Sequence, residues 1–106
     1  MGVYAMSGGA TGIGAAIRQN LQAAGHEVIV VDLRDADICA DLSDYAGRQR
    51  AIDGIRQRCP DGLDGFIPCA GVGPSVRPPS LIARINYFAA VAMTEGLLDL
   101  LEKRAG

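Results

Sequence analysis

The sequence predicts an α/β fold in which parallel strands alternate with helices, and three observations carry that prediction. Short apolar runs alternate with segments of helical periodicity. A glycine-rich turn, Ser7-Gly8-Gly9-Ala10-Thr11-Gly12-Ile13-Gly14, joins the first apolar run to the first amphipathic one. An acidic residue, Asp32, ends the next apolar run. Strands separated by helices pair in parallel, since each helix is the crossover that returns the chain to the same end of the sheet. The 106 residues fit one domain with a single core, spanning 1–106.

The elements follow in order. Val3-Tyr4-Ala5-Met6 predicts a short strand over 3–6, and Ile13, Ile17, Leu21 and Ala24 recur at helical spacing over 13–24. Val28-Ile29-Val30-Val31 reads as a buried strand within 27–32, with a short strand at 36–39 after it. A second helix is expected over 44–58, capped by Ser43 or Asp44. Tyr45, Ile52, Ile55 and Cys59 mark one face of it, and Pro60-Asp61-Gly62 ends it. A fourth strand at 64–69, a Gly/Pro-rich loop at 71–79 and a long helix at 80–103 complete the chain. That last helix carries Leu81, Ile85, Phe88, Ala89, Ala92, Met93, Leu97, Leu100 and Leu101, with Ala90, Val91 and Leu98 on other faces. A helix apolar over most of its circumference is buried on two sides; the expectation is packing against its own sheet and against another chain or a further part of the protein, with a core helix of a compact domain as the alternative.

The glycine turn has a specific chemistry. Glycines at 8, 12 and 14 let a strand turn sharply into a helix, let backbone approach a pyrophosphate and let the helix lie close to the sheet. The helix start then presents N–H groups to the phosphates. A glycine pattern alone is weak, but here it follows a strand, opens a helix and precedes an acid about 20 residues on, the setting expected of a dinucleotide site.

Composition excludes other classes. A net charge of −2 with scattered Lys and Arg gives no basic field for nucleic acid. No apolar run approaches a membrane span and no leader pattern opens the chain, so a cytoplasmic protein without membrane contact is expected. Cys39, Cys59 and Cys69 lack metal-type spacing and His26 is the single histidine, so no metal site is expected. His26, in Gly25-His26-Glu27, reads as a helix end with a surface or dipole-facing role.

The glycine pattern, Asp32, Asp41-Leu42, Ala70-Gly71 and Asn86 together resemble the N-terminal half of the short-chain dehydrogenases/reductases, over essentially the whole chain. Ala10-Thr11-Gly12-Ile13-Gly14, Ala40-Asp41-Leu42-Ser43, Cys69-Ala70-Gly71 and Asn86-Tyr87-Phe88 are similar to the bacterial hydroxysteroid dehydrogenase/carbonyl reductase branch. The resemblance implies a Rossmann-type parallel sheet with flanking helices, ending after the fourth strand and its following helix, with NAD(H) across the carboxyl ends of the strands. Ser7, Gly8, Thr11, Gly12, Ile13 and Gly14 would form the phosphate turn, Ser7 standing where the family has threonine. Asp32 would accept from the adenosine ribose hydroxyls and repel a 2′-phosphate, favouring NAD over NADP, although Arg34 lies close by.

Asp41 and Leu42 match the family's adenine contacts, and a helix-start acid is the alternative for Asp41. Asp35 and Asp37 match nothing functional and read as solvated loop. Ala70 and Gly71 end the fourth strand, where Pro68-Cys69 replaces the family's Asn-Asn, and Pro68, which cannot donate to a ladder, obliges the strand to end there or to meet no acceptor at that position. Cys69 has no basic neighbour to activate it and reads as a packed thiol. Asn86 matches the asparagine that supports the family's proton relay.

The family's reaction is hydride transfer between nicotinamide and an alcohol or carbonyl carbon, using a serine and a tyrosine followed four residues on by lysine. Here Tyr4, Tyr45 and Tyr87 are followed at that spacing by Gly8, Gln49 and Val91, and the sole lysine is Lys103. The catalytic Ser, Tyr and Lys are therefore expected outside this chain, whose domain reads as incomplete. The resemblance implies NAD and a small carbonyl or alcohol substrate as partners, and association through the last helix as a homo-oligomer or with a complementing C-terminal half. A stand-alone nucleotide-binding module without catalysis, or an inactive remnant, is the alternative.

Overall fold

The computed structural model describes residues 2–9, 12–70 and 80–105. Strand β1 (Val3–Ser7) leads through the glycine turn to helix α1 (Gly12–Ala23), then to strand β2 (Glu27–Asp32) and the two-residue strand β3 (Ile38–Cys39). Helix α2 (Tyr45–Arg58) and strand β4 (Gly65–Pro68) follow. All pairings are parallel and the sheet order is β3-β2-β1-β4, so the strand order reverses beside β1. The α/β, Rossmann-like prediction holds. The last helix does not run unbroken over 80–103. It comprises α3 (Ser80–Ala83), a π-helical stretch (Arg84–Ala89), α4 (Ala90–Gly96) and α5 (Leu98–Ala105), with a break at Leu97.

Alternation along the strands divides the core into two layers. Ala5, Ile29 and Val31 face Ile52, Ile55, Met93, Leu97 and Leu100 from the α2, α4 and α5 side. Met6, Val28 and Val30 face the opposite way, against Ile17 and Leu21 of α1. Four expected face residues are exposed and stand outside these layers: Ile13 and Tyr45 in the first turns of their helices, Ala24 just past the end of α1, and Phe88 on the π-helical stretch.

Local chemistry sets the boundaries. Asp44 caps α2, its carboxylate accepting from Gly47 N–H at 2.7 Å. α1 ends in a Schellman turn at Gly25: Gly25 N–H donates to Gln22 O and His26 N–H to Leu21 O. His26 Nδ1 accepts from Gly2 N–H at 2.8 Å and its ring stands edge-on to Tyr4, a structural role that helix polarity alone did not reveal. Pro68 is the last residue of β4 and pairs with Ser7, while Cys69 N–H beyond it still donates to Ser7 O, so the missing Pro68 N–H falls on the edge away from β1 and costs the ladder nothing.

Two carboxylates fasten distant segments. Asp64 accepts from Val3 N–H and from Arg104, joining α5 to the first strand. Asp99 accepts both Arg56 Nη atoms at 2.7 Å, while Arg56 Nη2 also donates to Gly96 O, joining α2 to the break between α4 and α5. Val3 N–H and the Arg104 guanidinium hold the Asp64 carboxyl below its usual range, and Arg56 does the same for Asp99. Carboxyls depressed by folding stabilise the native state above their unfolded pKa and lose that contribution as pH falls through the folded value. The stability gap between the wild-type chain and Asp64→Asn or Asp99→Asn, measured by urea unfolding, is therefore expected to be full at pH 7 and to close below about pH 4. A gap constant down to pH 2.5 would contradict this assignment.

Candidate nucleotide site

Because the strands are parallel, Ser7, Asp32, Cys39 and Pro68 end at the same edge of the sheet. The segments after them meet there. Gly8, at φ 82, donates its N–H to Val31 O at 2.8 Å and runs so close to β4 that a Cβ would come within 2.6 Å of Ala70 N. Ser7 is 3% exposed, and its hydroxyl accepts from Ala70 N–H at 3.3 Å. It therefore ties β1 to the end of β4 behind the glycine turn. Gly14 is buried, and a Cβ on it would overlap the Gly8 carbonyl oxygen, so its backbone is what lets α1 start directly against the turn.

Gly12 opens α1 with a left-handed backbone, and a Cβ on it would meet nothing within 4 Å. The helix start at Gly12 is thus open among the described residues, and the first-turn N–H groups have no intrahelical acceptor. Such a helix start favours an anion through its free N–H groups and the helix dipole. Thr11 and Gly71, both predicted for the site, and the 71–79 loop lie outside the described residues.

Asp32 stands at the carboxyl end of β2, one strand over from the turn, and its Oδ1 accepts from Leu33 N–H at 2.8 Å. The connection from Asp32 to β3 is only five residues long. Asp35 adopts φ 53 within it, and Asp37 Oδ2 accepts from Val30 N–H at 2.8 Å. Asp37 is thus a structural acceptor for the β2 edge rather than loop decoration.

Asp41 accepts from Ser43 N–H at 2.9 Å and Ser43 Oγ at 2.7 Å, and these bonds hold its carboxyl below the usual range. This Asx turn gives Asp41 a definite local role at the approach to α2. Leu42 is 6% exposed and packs in the core layer of α2, which leaves it only a rim to offer a ring above it. Asn86 is exposed on the π-helical stretch, a helical irregularity of the kind found at functional sites.

Burial pushes the Cys59 thiol up, while Cys69 is partly buried against the α1-side layer. Among the described residues no group of three or more His, Cys, Asp or Glu is placed to hold a metal, and no helix is long and apolar enough to cross a membrane. An open groove of about 400 Å³ between β3 and α2, lined by residues such as Cys39, Arg50 and Asp53, includes none of the predicted site residues.

The chain is 43% identical over 103 residues to a 3-alpha-hydroxysteroid dehydrogenase/carbonyl reductase of Comamonas testosteroni, a match covering 97% of this chain and 40% of that protein. The crystal structure of a 3-alpha-hydroxysteroid dehydrogenase from Pseudomonas sp. B-0831, complexed with NADH, superimposes with a TM-score of 0.93 at 44% identity, covering 95% of this chain and 40% of that one. An oxidoreductase (short chain dehydrogenase/reductase) from Brucella ovis superimposes with a TM-score of 0.88 at 25% identity, over 100% of this chain and 58% of that one. No family model matches the chain.

Proposed function

Since the chain belongs to the short-chain dehydrogenase/reductase family and corresponds to the N-terminal part of its members, spanning about 40% of the two most identical relatives above, we propose that it is the NAD(H)-binding part of a short-chain oxidoreductase. Its reaction would be hydride transfer between nicotinamide and an alcohol or carbonyl carbon, and the relatives' names suggest a hydroxysteroid as substrate. The observation that carries this reading is the turn at the carboxyl end of β1, where Gly8 and Gly14 are in backbone contact and Gly12 opens a helix into free space, one strand from Asp32.

Each residue has a task in this reading. The α1 start, with Gly12, Ile13 and the neighbouring Thr11, holds the pyrophosphate, while Ser7, Gly8 and Gly14 keep the turn compact. Asp32 accepts from the ribose hydroxyls and repels a 2′-phosphate. Asp41, the rim of Leu42, Ala70 and Gly71 border the rest of the cofactor, and Asn86 supports the proton relay. When bound, the nicotinamide supplies the hydride chemistry. Serine, tyrosine and lysine at the reacting carbon come from outside this chain, in a cytoplasmic protein. The exposed Tyr87, Phe88, Val91 and Leu98 are the apolar face through which a second copy or the complementing part docks.

Titration of the full chain with NADH and NADPH, followed by nicotinamide fluorescence, tests the cofactor assignment. Wild type is expected to favour NADH by at least tenfold, and Asp32→Ala to bring the two affinities within about threefold. No binding at millimolar NADH, or an unchanged preference in Asp32→Ala, would count against it. The alternative, a nucleotide-binding module without catalysis, is separated from this reading by complementation. Dehydrogenase activity appearing when a relative's C-terminal part is added supports the enzyme, and NADH binding with no such gain supports the module.

A further inference from the structure

We propose that Arg48 is a positioning residue that ties the adenine-side loop to the helix carrying Asn86, so that the two are held as one unit; its consequence for cofactor affinity rests on the NAD(H) reading above. Arg48 lies in the first turn of α2 and reaches backwards and across at once. Its Nε donates to Leu42 O at 2.9 Å, and its Nη2 donates to Ser43 O at 3.4 Å and to Arg84 O at 2.9 Å. All three acceptors are backbone carbonyls, on segments about 40 residues apart in the chain. Leu42 and Ser43 continue directly from Asp41, whose own carboxylate folds the same loop through Ser43. Arg84 opens the π-helical stretch and stands two residues before Asn86.

A planar guanidinium places its donors in a fixed fork, so bonding both segments fixes their separation and orientation; a lysine ammonium, a single point on a flexible stem, does not. Charge-assisted bonds to carbonyls that would otherwise face water or a widened helix turn are the stronger kind. The loop also meets α2 where the Gly47 backbone lies against Asp41 O, and Leu42 and Ala89 pack into the core. Arg48 adds hydrogen bonds that reach both segments at once.

Amide hydrogen exchange of the full chain tests the tie, with NADH, ADP and nicotinamide mononucleotide titrations beside it. Arg48→Met is expected to speed exchange about tenfold or more at 42–44 and at 84–90 together, leaving β1 and β2 amides at wild-type rates. ADP and NADH should bind about tenfold more weakly, with nicotinamide mononucleotide unchanged, and Arg48→Lys should recover part of both effects.

Faster exchange in only one of the two segments, in neither, or wild-type ADP affinity in a chain that binds ADP would overturn the proposal. If Arg48→Met loses protection throughout, Arg48→Lys decides: a selective change at the two segments supports the tie, and a wild-type or global pattern removes it. If the wild-type chain binds neither NADH nor ADP, the cofactor reading fails, and the exchange pattern alone settles Arg48.

Discussion

Gly14→Ala is expected to destroy NADH binding and to destabilise the fold by about 3 kcal/mol. Two effects oppose one another at this position. Alanine is the better helix former, by roughly 1 kcal/mol over glycine in a helix interior. The new methyl, however, would overlap the Gly8 carbonyl oxygen and lie near Gly9 Cα, both of which are backbone. Backbone cannot swing aside as a long side chain can, and Gly8 is itself pinned by its N–H to Val31 O and by its approach to Ala70. The helix must therefore move away from the sheet, opening the layer of Met6, Val30, Ile17 and Leu21 and displacing the N–H groups at the start of α1. Urea unfolding and NADH titration check both halves. Gly12→Ala is the control: its Cβ meets nothing, so only the left-handed backbone is strained, at about 1–2 kcal/mol. Equal losses in the two variants would refute the close-approach account of Gly14.

Leu97→Ala is expected to cost about 2–5 kcal/mol and to lower Tm by on the order of 10 °C or more. Leu97 is 0% exposed, although it lies at the break between α4 and α5. Its N–H donates to Met93 O, and its side chain belongs to the layer that also holds Ile52, Ile55 and Leu100. Truncation leaves a cavity lined by branched side chains on α2 and by the sheet, and the neighbouring Arg56 link from Gly96 and Asp99 to α2 resists collapse into it. Leu98→Ala, one residue on and 51% exposed, is expected to change stability by less than about 0.5 kcal/mol. Thermal and urea melts of the pair, run side by side, distinguish a buried break from a solvent-facing one.

The element order was readable because apolar runs, helical spacing and Gly/Pro punctuation agree with one another at each step, and Asp44, Gly25 and Pro68 sit where cap, turn and ladder chemistry put them. The interruption of the last helix was not. With apolar residues on every side of 80–103, the pattern carries no phase, and a wider turn at Arg84–Ala89 or a break at Leu97 leaves no mark in it. The glycine turn was legible as a spacing, whereas the reason for each glycine needed the approach of Gly14 to Gly8 and of Gly8 to Ala70. Arg48, Arg56 and Asp64 gave no signal at all, because each has a partner 36–61 residues away. Asp37 looked like solvated loop for a related reason: its acceptor role exists only once the 33–37 connection folds back alongside β2.

The sheet order also has a consequence for synthesis. β1 is made first yet lies between β2 and β4, and its N-terminal amide at Val3 bonds to Asp64. A nascent chain can close β1 onto β2 once residues 27–32 have followed α1, but the other edge of β1 must wait until residues 64–68 have been made. During that interval the Val3–Ser7 strand presents an open, parallel-pairing edge, the kind of surface that invites pairing with a neighbouring chain. Its brevity and the flanking glycines, Gly2 and Gly8, keep that edge a poor template while the partner strand is still being translated.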